Sequence, residues 1–387
     1  MGHQGNVSKN RCRQTGSRRA GEGVPERRSL VLLGLGALVI RLFYWLEHGY
    51  SAFFCVPLLD QKYYHLFAEA LVSGGDLSAF GGFRPVLYPL FLSFFYRIGG
   101  ELGVSPALFA QHALGVGTVV MTAVVAGRLF GSRRTGLVAG ALCGLAGPVL
   151  YFEGELLIVT LLTFLMSLQF LLLSAAAFRP DGLARGPAFA LWFAAGCVTG
   201  LAAQARPNVL VFLPAYAGMA VLGRRLGGGR AWAGPVLALG GALAVMTAFG
   251  FVNKAQSGRY QLVTGAGGIN LYVGNSRTAD GMTPSQPVSV TYQGAYRDSL
   301  QVFARQRYLE ATAGRGAGTE ADPSAISRFW IGETLREIGA DPLRWLALMT
   351  RKAWLMIWNR EVANNKTYSF ILREESRLLR WMPVRWW

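Results

Sequence analysis

Long apolar segments alternate with short arginine-containing loops along most of this chain. The segments run for about 17 to 25 residues, close to the roughly 20 residues that an α-helix needs to cross the hydrocarbon core of a bilayer. Hydrophobic residues make up 52% of the chain and charged residues only 15%, so the segments lack the polar faces that a soluble fold presents to water. The pattern therefore predicts an all-α, polytopic helical membrane protein.

Seven apolar segments are predicted to cross the membrane: residues 29–46, 106–129, 135–152, 156–178, 188–204, 208–222 and 232–252. A shorter apolar segment, residues 85–98, contains Pro85 and Pro89 and either lies in the membrane interface or enters it only partway. If this segment does not cross, the basic loops fall on the same side as the basic amino-terminal tail. Because basic loops concentrate in the cytoplasm, we expect seven crossings, a juxtamembrane helix at residues 85–98 and a cytoplasmic amino terminus.

The formal net charge of +17 raises the alternative of a nucleic-acid partner. Most of the lysines and arginines lie in the tail and in short loops, so we interpret them as topology signals and expect no nucleic acid. The chain is predicted to have four regions: a disordered basic cytoplasmic tail (1–28), a transmembrane domain (29–252) with a first external loop (47–105), an extracytoplasmic loop region (253–340), and an interfacial amphipathic helix with the carboxyl-terminal end (341–387).

This topology collects charged side chains on the outer side of the membrane, namely Asp60, Arg84, Glu153 and Arg206. Charged groups at the membrane face suit a ligand with an anionic head and an apolar tail, because arginine can hold a phosphate in a fork while the tail stays in lipid. A carboxylate within hydrogen-bond reach can accept the proton of an incoming hydroxyl group. The set therefore predicts polar chemistry on a lipid-linked phosphate at the bilayer surface.

Each of these residues also has a simpler interpretation. Asp60 could be an ordinary loop acid or the N-cap of the following helix. Arg206 could anchor the end of a membrane span. Glu153 could be a solvated turn residue, and we expect its neighbour Glu155 to be one.

Aromatic residues follow Asp60 directly. Tyr63 and Tyr64 are most often membrane-interface anchors in such a position, and His65 is expected to pack among aromatic rings. No second histidine stands at ligand spacing from His65, and no Cys-x-x-Cys pair is present. We therefore expect no structural zinc and no cofactor, and the sequence offers no support for a divalent metal.

Six groups of short motifs resemble the GT-C membrane glycosyltransferases of the family 39 and RgtA/B/C/D-like type. They are LDQKYYH at 59–65, RPVLYP at 84–89, YFEGELL at 151–157, ARPN at 205–208, NLYVGN at 270–275 with ADG at 279–281, and WNRE at 358–361 with Asn364 and Asn365. Each motif is weak by itself, but their order and spacing together are fairly specific. The resemblance extends from about residue 31 to residue 365.

The resemblance implies an enzyme that transfers a hexose or pentose from a polyprenyl-phosphate donor to a glycan, lipid or protein outside the cytoplasmic membrane. Asp60 matches the acid of the first external loop, which in the family activates the acceptor or organises the site. Gln61 departs from relatives that have a second acid there, so a second carboxylate or metal role is in doubt. The residues expected to bind substrate are Arg84, Glu153, Arg206, Tyr63 and Tyr64.

Two other functions remain open at this stage. A transporter or lipid flippase also needs many spans and polar residues, although the charges here cluster at one rim and no inverted repeat is evident. A truncated, inactive GT-C homologue is the second alternative, because relatives generally continue with more spans after the WNRE motif.

Overall fold

The computed structural model describes residues 23–51, 56–75, 77, 80, 82–100, 103–178, 185–226, 230–282, 299–313, 322–357, 361 and 366–384. Within these ranges the chain forms helices and no β-strand. The helices are α1 (Arg27–Gly49), α2 (Asp60–Ser73), α3 (Leu87–Gly99), α4 (Ser105–Phe130), α5 (Arg133–Gly144), α6 (Gly147–Glu153), α7 (Val159–Ala177), α8 (Arg185–Ala205), α9 (Phe212–Leu226), α10 (Ala233–Ser257), α11 (Gly267–Asn275), α12 (Ser299–Thr312), α13 (Pro323–Ala340), α14 (Pro342–Ile357), α15 (Tyr368–Phe370) and α16 (Arg377–Trp381).

Five of the described helices are long and apolar enough to cross a membrane. They are Arg27–Gly49, Ser105–Phe130, Val159–Ala177, Gly186–Ala205 and Ala233–Ala255. These helices confirm the helical, multi-pass membrane character predicted from the sequence. Seven crossings and the GT-C type of bundle stay predictions.

The predicted crossing at residues 135–152 is divided into α5 and α6. α5 packs closely on α4, because a Cβ on Gly136 would lie 2.5 Å from the carbonyl oxygen of Ala123. α6 continues in the same direction and ends with Glu153 beside Gly115 of α4. The two short helices together therefore run back along α4, although neither has the length of a spanning helix.

The predicted crossing at residues 208–222 is also composite, with a 3₁₀ turn at Pro207–Val211 ahead of α9. α8 and α10 run parallel, since Gly196 faces Ala238 and Gly200 faces Ala242. Two parallel helices need a connection that returns along the bundle. The turn and α9 supply that return.

The bundle has two chemically different ends, which we call the Glu26 end and the Asp60 end. At the Glu26 end, Glu26 pairs with Arg133 at 2.7 Å, and Arg128 donates to Ser174. At the Asp60 end, α2 and α3 pack together over α4, α7 and α8 through a shared aromatic core. α3 has 13 residues, about 20 Å of helix, which is shorter than a hydrocarbon core of about 30 Å.

The described part of the polar region after α10 contains the helices α11, α12 and α13. α11, α12 and α13 share a small core that includes Ile269, Phe303 and Trp330. This core also takes in Phe83, which stands next to the predicted site residue Arg84. α14 carries exposed apolar residues on one side, among them Leu343 and Trp354, as expected of an amphipathic helix.

The segment after α14 returns to the membrane bundle. Tyr368, Ile371 and Leu379 are buried against residues of α1 and α6, and the Gly147 N–H donates to Val384 O at 2.8 Å at the break between α5 and α6. Glu47 of α1 accepts a backbone N–H bond from Arg377, at the start of α16. The described part of the predicted carboxyl-terminal region is therefore packed into the bundle beyond α14, a placement that no local sequence pattern indicated.

Candidate functional site

Asp60 and Arg84 form an ion pair at the Asp60 end of the bundle. The Arg84 Nη1 atom lies 2.6 Å from Asp60 Oδ1, and the two side chains are 23% and 35% exposed, respectively. Asp60 is the first residue of α2, and Arg84 lies just before α3. The packing of α2 on α3 brings these two predicted site residues together at a position that solvent reaches.

The backbone directly before Asp60 is strained. Leu59 has φ 47° and ψ −115°, and it is the one non-glycine with positive φ among the described residues. Such a conformation costs of order 1–3 kcal/mol in a residue with a side chain and persists only where the surroundings impose it. Leu59 is exposed, so the strain serves the path of the chain into α2 rather than the burial of its own side chain.

Tyr64 lies where the charges of three predicted site residues meet. Burial raises the pKa of its hydroxyl, the positive charges of Arg84 and Arg206 oppose that rise, and the negative charge of Asp60 adds to it. Arg206 itself is exposed and, within the described part of the chain, has no ion pair. The charges of Asp60, Arg84 and Arg206 therefore all act on the Tyr64 hydroxyl.

Tyr63 and Tyr64 are core residues, so their interpretation as membrane-interface anchors is wrong. Tyr63 is 0% exposed and Tyr64 is 6% exposed, and both belong to the aromatic core under α2 and α3. The Arg84 guanidinium carbon lies 5.0 Å from the centre of the Tyr63 ring. A cation over an aromatic face is attracted to it, so the Tyr63 ring helps to hold the Arg84 guanidinium group in place. Direct contact of either tyrosine with substrate stays a prediction.

His65 packs as the sequence suggested. Its ring lies edge-on to Tyr96, its Nδ1 atom is 3.0 Å from the Tyr96 hydroxyl, and its Nε2 atom is 3.3 Å from Glu69. Among the residues that the structure describes, no group of three or more histidine, cysteine, aspartate or glutamate side chains is arranged to hold a metal ion.

Glu153 lies inside the bundle instead of in a solvated turn. Its side chain is 1% exposed, with one oxygen 2.7 Å from Arg41 Nη2 and the other 3.1 Å from His112 Nδ1. Both carboxylate oxygens therefore have partners from other helices. A role for Glu153 in substrate binding stays a prediction, and the contacts present are those of a buried ionic cluster.

Glu155 is also buried, so its interpretation as a solvated turn residue is wrong. Its Oε2 atom accepts from Gln61 Nε2 at 2.6 Å and lies 2.8 Å from Lys366 Nζ. Burial raises the pKa of the Glu155 carboxyl, and Lys366 and Gln61 oppose that rise. Its Oε1 atom is buried and has no hydrogen-bond partner within the described residues.

The turn that carries Glu153 and Glu155 is held by a chain of hydrogen bonds. Gln111 of α4 donates to the backbone carbonyls of both glutamates at 2.9 Å, and the Tyr88 hydroxyl donates to Gln111 Oε1 at 2.7 Å. α3, α4 and the turn are therefore locked to one another. These hydrogen bonds fix the position of Glu155 relative to α3 and α4.

A small recess with a cavity volume of about 10 Å³, at most room for one water molecule, lies beside Glu155. Its apolar wall includes Val56, Leu108 and Leu156. Its polar wall consists of Gln61, Glu155 and Lys366. Gln61 directly follows Asp60 in α2.

Sequence reasoning missed Arg41, His112 and Lys366. A signal existed for the first two, because a lone ionisable residue within an apolar membrane helix usually faces the interior and has a partner there. No comparable signal marked Lys366, whose place beside Glu155 depends on the return of the carboxyl-terminal segment.

Comparison of the chain with protein-family models, with curated proteins and with solved structures finds no match in any of the three.

Proposed function

We propose that this protein is a membrane glycosyltransferase that moves one sugar from a polyprenyl-phosphate carrier to a hydroxyl group of an acceptor outside the cytoplasmic membrane. The observation that carries the proposal is the Asp60–Arg84 pair, 2.6 Å apart and partly exposed, with the charge of Arg206 nearby. A carboxylate beside two arginines at the end of a membrane bundle combines a proton acceptor with a phosphate site.

The proposed reaction is a single displacement at the anomeric carbon of the donor sugar. The acceptor oxygen forms the new bond to that carbon while Asp60 accepts its proton, and the bond to the phosphate oxygen breaks. The bonding electron pair leaves with the polyprenyl phosphate. Arg84 and Arg206 stabilise the negative charge that develops on the departing phosphate.

The resting ion pair has a role in this scheme. Arg84 holds Asp60 while no phosphate is bound, and a phosphate oxygen competes for the same guanidinium. Donor binding would therefore turn Arg84 from Asp60 towards the phosphate and leave the carboxylate free to accept a proton. A partly exposed pair can make this exchange, because solvent lowers the cost of separating the two charges.

The proposal includes an orientation, with the amino terminus in the cytoplasm of a cell whose inner or plasma membrane holds the protein. The Glu26 end carries arginines from several helices, including Arg128, Arg133 and Arg224. An excess of basic residues favours the cytoplasmic side. The Asp60 end then faces outward, where polyprenyl-linked sugars meet their acceptors.

The test is sugar transfer by the purified full-length chain in proteoliposomes that contain radiolabelled polyprenyl-phosphate sugars and envelope glycan acceptors. The matched variants are Asp60→Asn and Glu69→Gln, because Glu69 is an exposed acid on the same helix. We expect transfer by the wild type and by Glu69→Gln, and its loss in Asp60→Asn. Full transfer by a folded Asp60→Asn variant would remove the central element of the proposal.

A transporter or lipid flippase is the second candidate function, and the buried Arg41–Glu153–His112 cluster favours it. Ionisable residues inside a membrane bundle often mark an ion or substrate pathway. The same proteoliposomes separate the two functions if they also report movement of a fluorescent polyprenyl phosphate between leaflets. Lipid movement without sugar transfer, abolished by Glu153→Gln, would favour the transporter.

A further inference from the structure

α14 has an apolar face that the described residues leave uncovered. Leu343, Leu346, Trp354 and Ile357 are each between 53% and 77% exposed. With 3.6 residues per turn, these four positions fall within an arc of about 60° around the helix. Exposed apolar residues that are aligned in this way, rather than scattered, indicate an interaction surface.

The opposite side of α14 is already occupied. Trp345 Nε1 donates to Asn275 Oδ1 at 3.0 Å, and Lys352 Nζ donates to Gly274 O at 2.5 Å. Leu348 is buried on this side of the helix. The end of the NLYVGN motif therefore seats α14, and this contact fixes which side of α14 points away from α11.

The carboxyl end of α14 is held near the membrane surface. The Glu361 carboxylate accepts the backbone N–H groups of Tyr368 and Ser369, and Tyr368 shares a buried core with Tyr44 of α1. Ile357 precedes Glu361 by four residues, which span at most about 14 Å. α1 has 23 residues, about 35 Å of helix, so its last turn extends beyond a hydrocarbon core of about 30 Å. The end of α14 therefore lies within reach of the lipid headgroups at the Asp60 end.

The charges on α14 suit a phospholipid surface. The helix carries Arg344, Arg351 and Lys352 and has no acidic residue. Arg351 is exposed. A long cationic side chain beside an apolar face extends its charge to lipid phosphates while its methylene groups stay in the interface. The apolar face and the positive charge together complement the acyl chains and phosphates of a bilayer.

We propose that α14 docks on the bilayer surface at the Asp60 end, with its apolar face at the boundary between headgroups and acyl chains. The sequence predicts an interfacial helix in this region. The structure adds the side of the helix that faces lipid, its seat on the NLYVGN motif and the end of the bundle at which it docks. Docking holds α11 and α13, which both contact α14, beside the bilayer. The proposal is independent of the proposed sugar transfer, because docking requires no substrate.

The test measures the surroundings of a nitroxide label on α14 in the full-length chain, in nanodiscs of phosphatidylcholine and phosphatidylglycerol. The label is attached through Leu346→Cys or Ile357→Cys in a chain whose four native cysteines are replaced by alanine. Arg351→Cys is the matched control, because it places the same label on the polar side of the same helix. Electron paramagnetic resonance compares collisions with oxygen, which concentrates in lipid, and with a nickel chelate, which stays in water. The thermal unfolding temperature of each variant establishes that it is folded.

We expect the ratio of oxygen to nickel collision rates to be several times higher at positions 346 and 357 than at position 351. Equal ratios at the three positions would refute docking, because the apolar face would then lie in water. Low collision rates with both reagents at positions 346 and 357 would also refute it, since a protein surface, from this chain or from a second copy, would then cover the face.

Discussion

The Asp60–Arg84 pair and the Arg41–Glu153–His112 cluster each pair a carboxylate with a guanidinium group, but in opposite surroundings. Asp60 and Arg84 are 35% and 23% exposed, whereas Glu153 and Arg41 are each 1% exposed. Solvent weakens the first pair and lets its members change partners. The second cluster has no such freedom, because separating buried charges exposes each to an apolar interior. Under the proposed glycosyl transfer, we expect the first region to carry chemistry and the second to maintain the structure of the bundle.

The largest expected effect is on the rate of sugar transfer, and it follows from a change in the exposed Asp60–Arg84 pair. Asp60→Asn should lower the rate of sugar transfer by about 10² to 10⁴-fold, the range typical of a lost general base. Its unfolding free energy should change by no more than about 1 kcal/mol, because the ion pair is partly exposed. Initial rates with saturating donor, together with denaturant unfolding, check both parts. A variant that loses transfer because it unfolds would break the comparison.

The buried cluster should show the reverse behaviour. Glu153→Ala leaves Arg41 charged and unpaired inside the bundle, so we expect a loss of about 3–5 kcal/mol in unfolding free energy. The matched control is Glu26→Gln at the exposed Glu26–Arg133 pair, where the loss should stay below about 1 kcal/mol. Reversible unfolding in mixed micelles measures both values.

A double variant sharpens this result. Arg41→Met combined with Glu153→Leu removes both charges at once and should recover much of the stability that Glu153→Ala loses. Equal losses in Glu153→Ala and Glu26→Gln would show that burial does not distinguish the two regions.

An intermediate effect is expected at Arg206, the exposed cation near Tyr64. Arg206→Gln should raise the KM for the polyprenyl-phosphate donor by roughly tenfold, since one charged contact to phosphate is lost. Arg206→Lys keeps the charge and should recover part of this affinity. Donor titrations at fixed acceptor concentration make the measurement, and an unchanged KM in Arg206→Gln would place the phosphate elsewhere.

The smallest effect concerns the carboxyl-terminal segment that carries Lys366. Glu47 accepts backbone N–H bonds from Arg377 and Leu378 at the start of α16. Glu47→Gln weakens this charged cap, and we expect a loss of about 1 kcal/mol and faster proteolysis after residue 366. Limited proteolysis in nanodiscs detects the change, with Glu374→Gln as control. Equal cleavage rates in both variants would exclude Glu47 as an anchor of this segment.

Local patterns predicted the parts of the molecule that depend on neighbouring residues. Five of the seven predicted crossings match helices that can span a membrane, because length and hydropathy are properties of a continuous segment. The short α3 also follows from a local signal, because Pro85 stands just ahead of its start, whereas the N-cap of α2 is Leu59 and not Asp60. The division of residues 135–152 into two helices was missed although a local signal marks it, because Gly147 and Pro148 stand at the start of α6 and a proline ends the helix that precedes it.

The sequence by itself determined the helical, multi-pass membrane character of the protein, since hydropathy adds up along a continuous segment. Only the tertiary structure decided which acid faces solvent and which is enclosed. Glu153 meets Arg41, 112 positions away, and Glu155 meets Lys366 from the far end of the described chain. Burial and pairing depend on these distant partners, so the residues next to Glu153 and Glu155 in the sequence do not predict them.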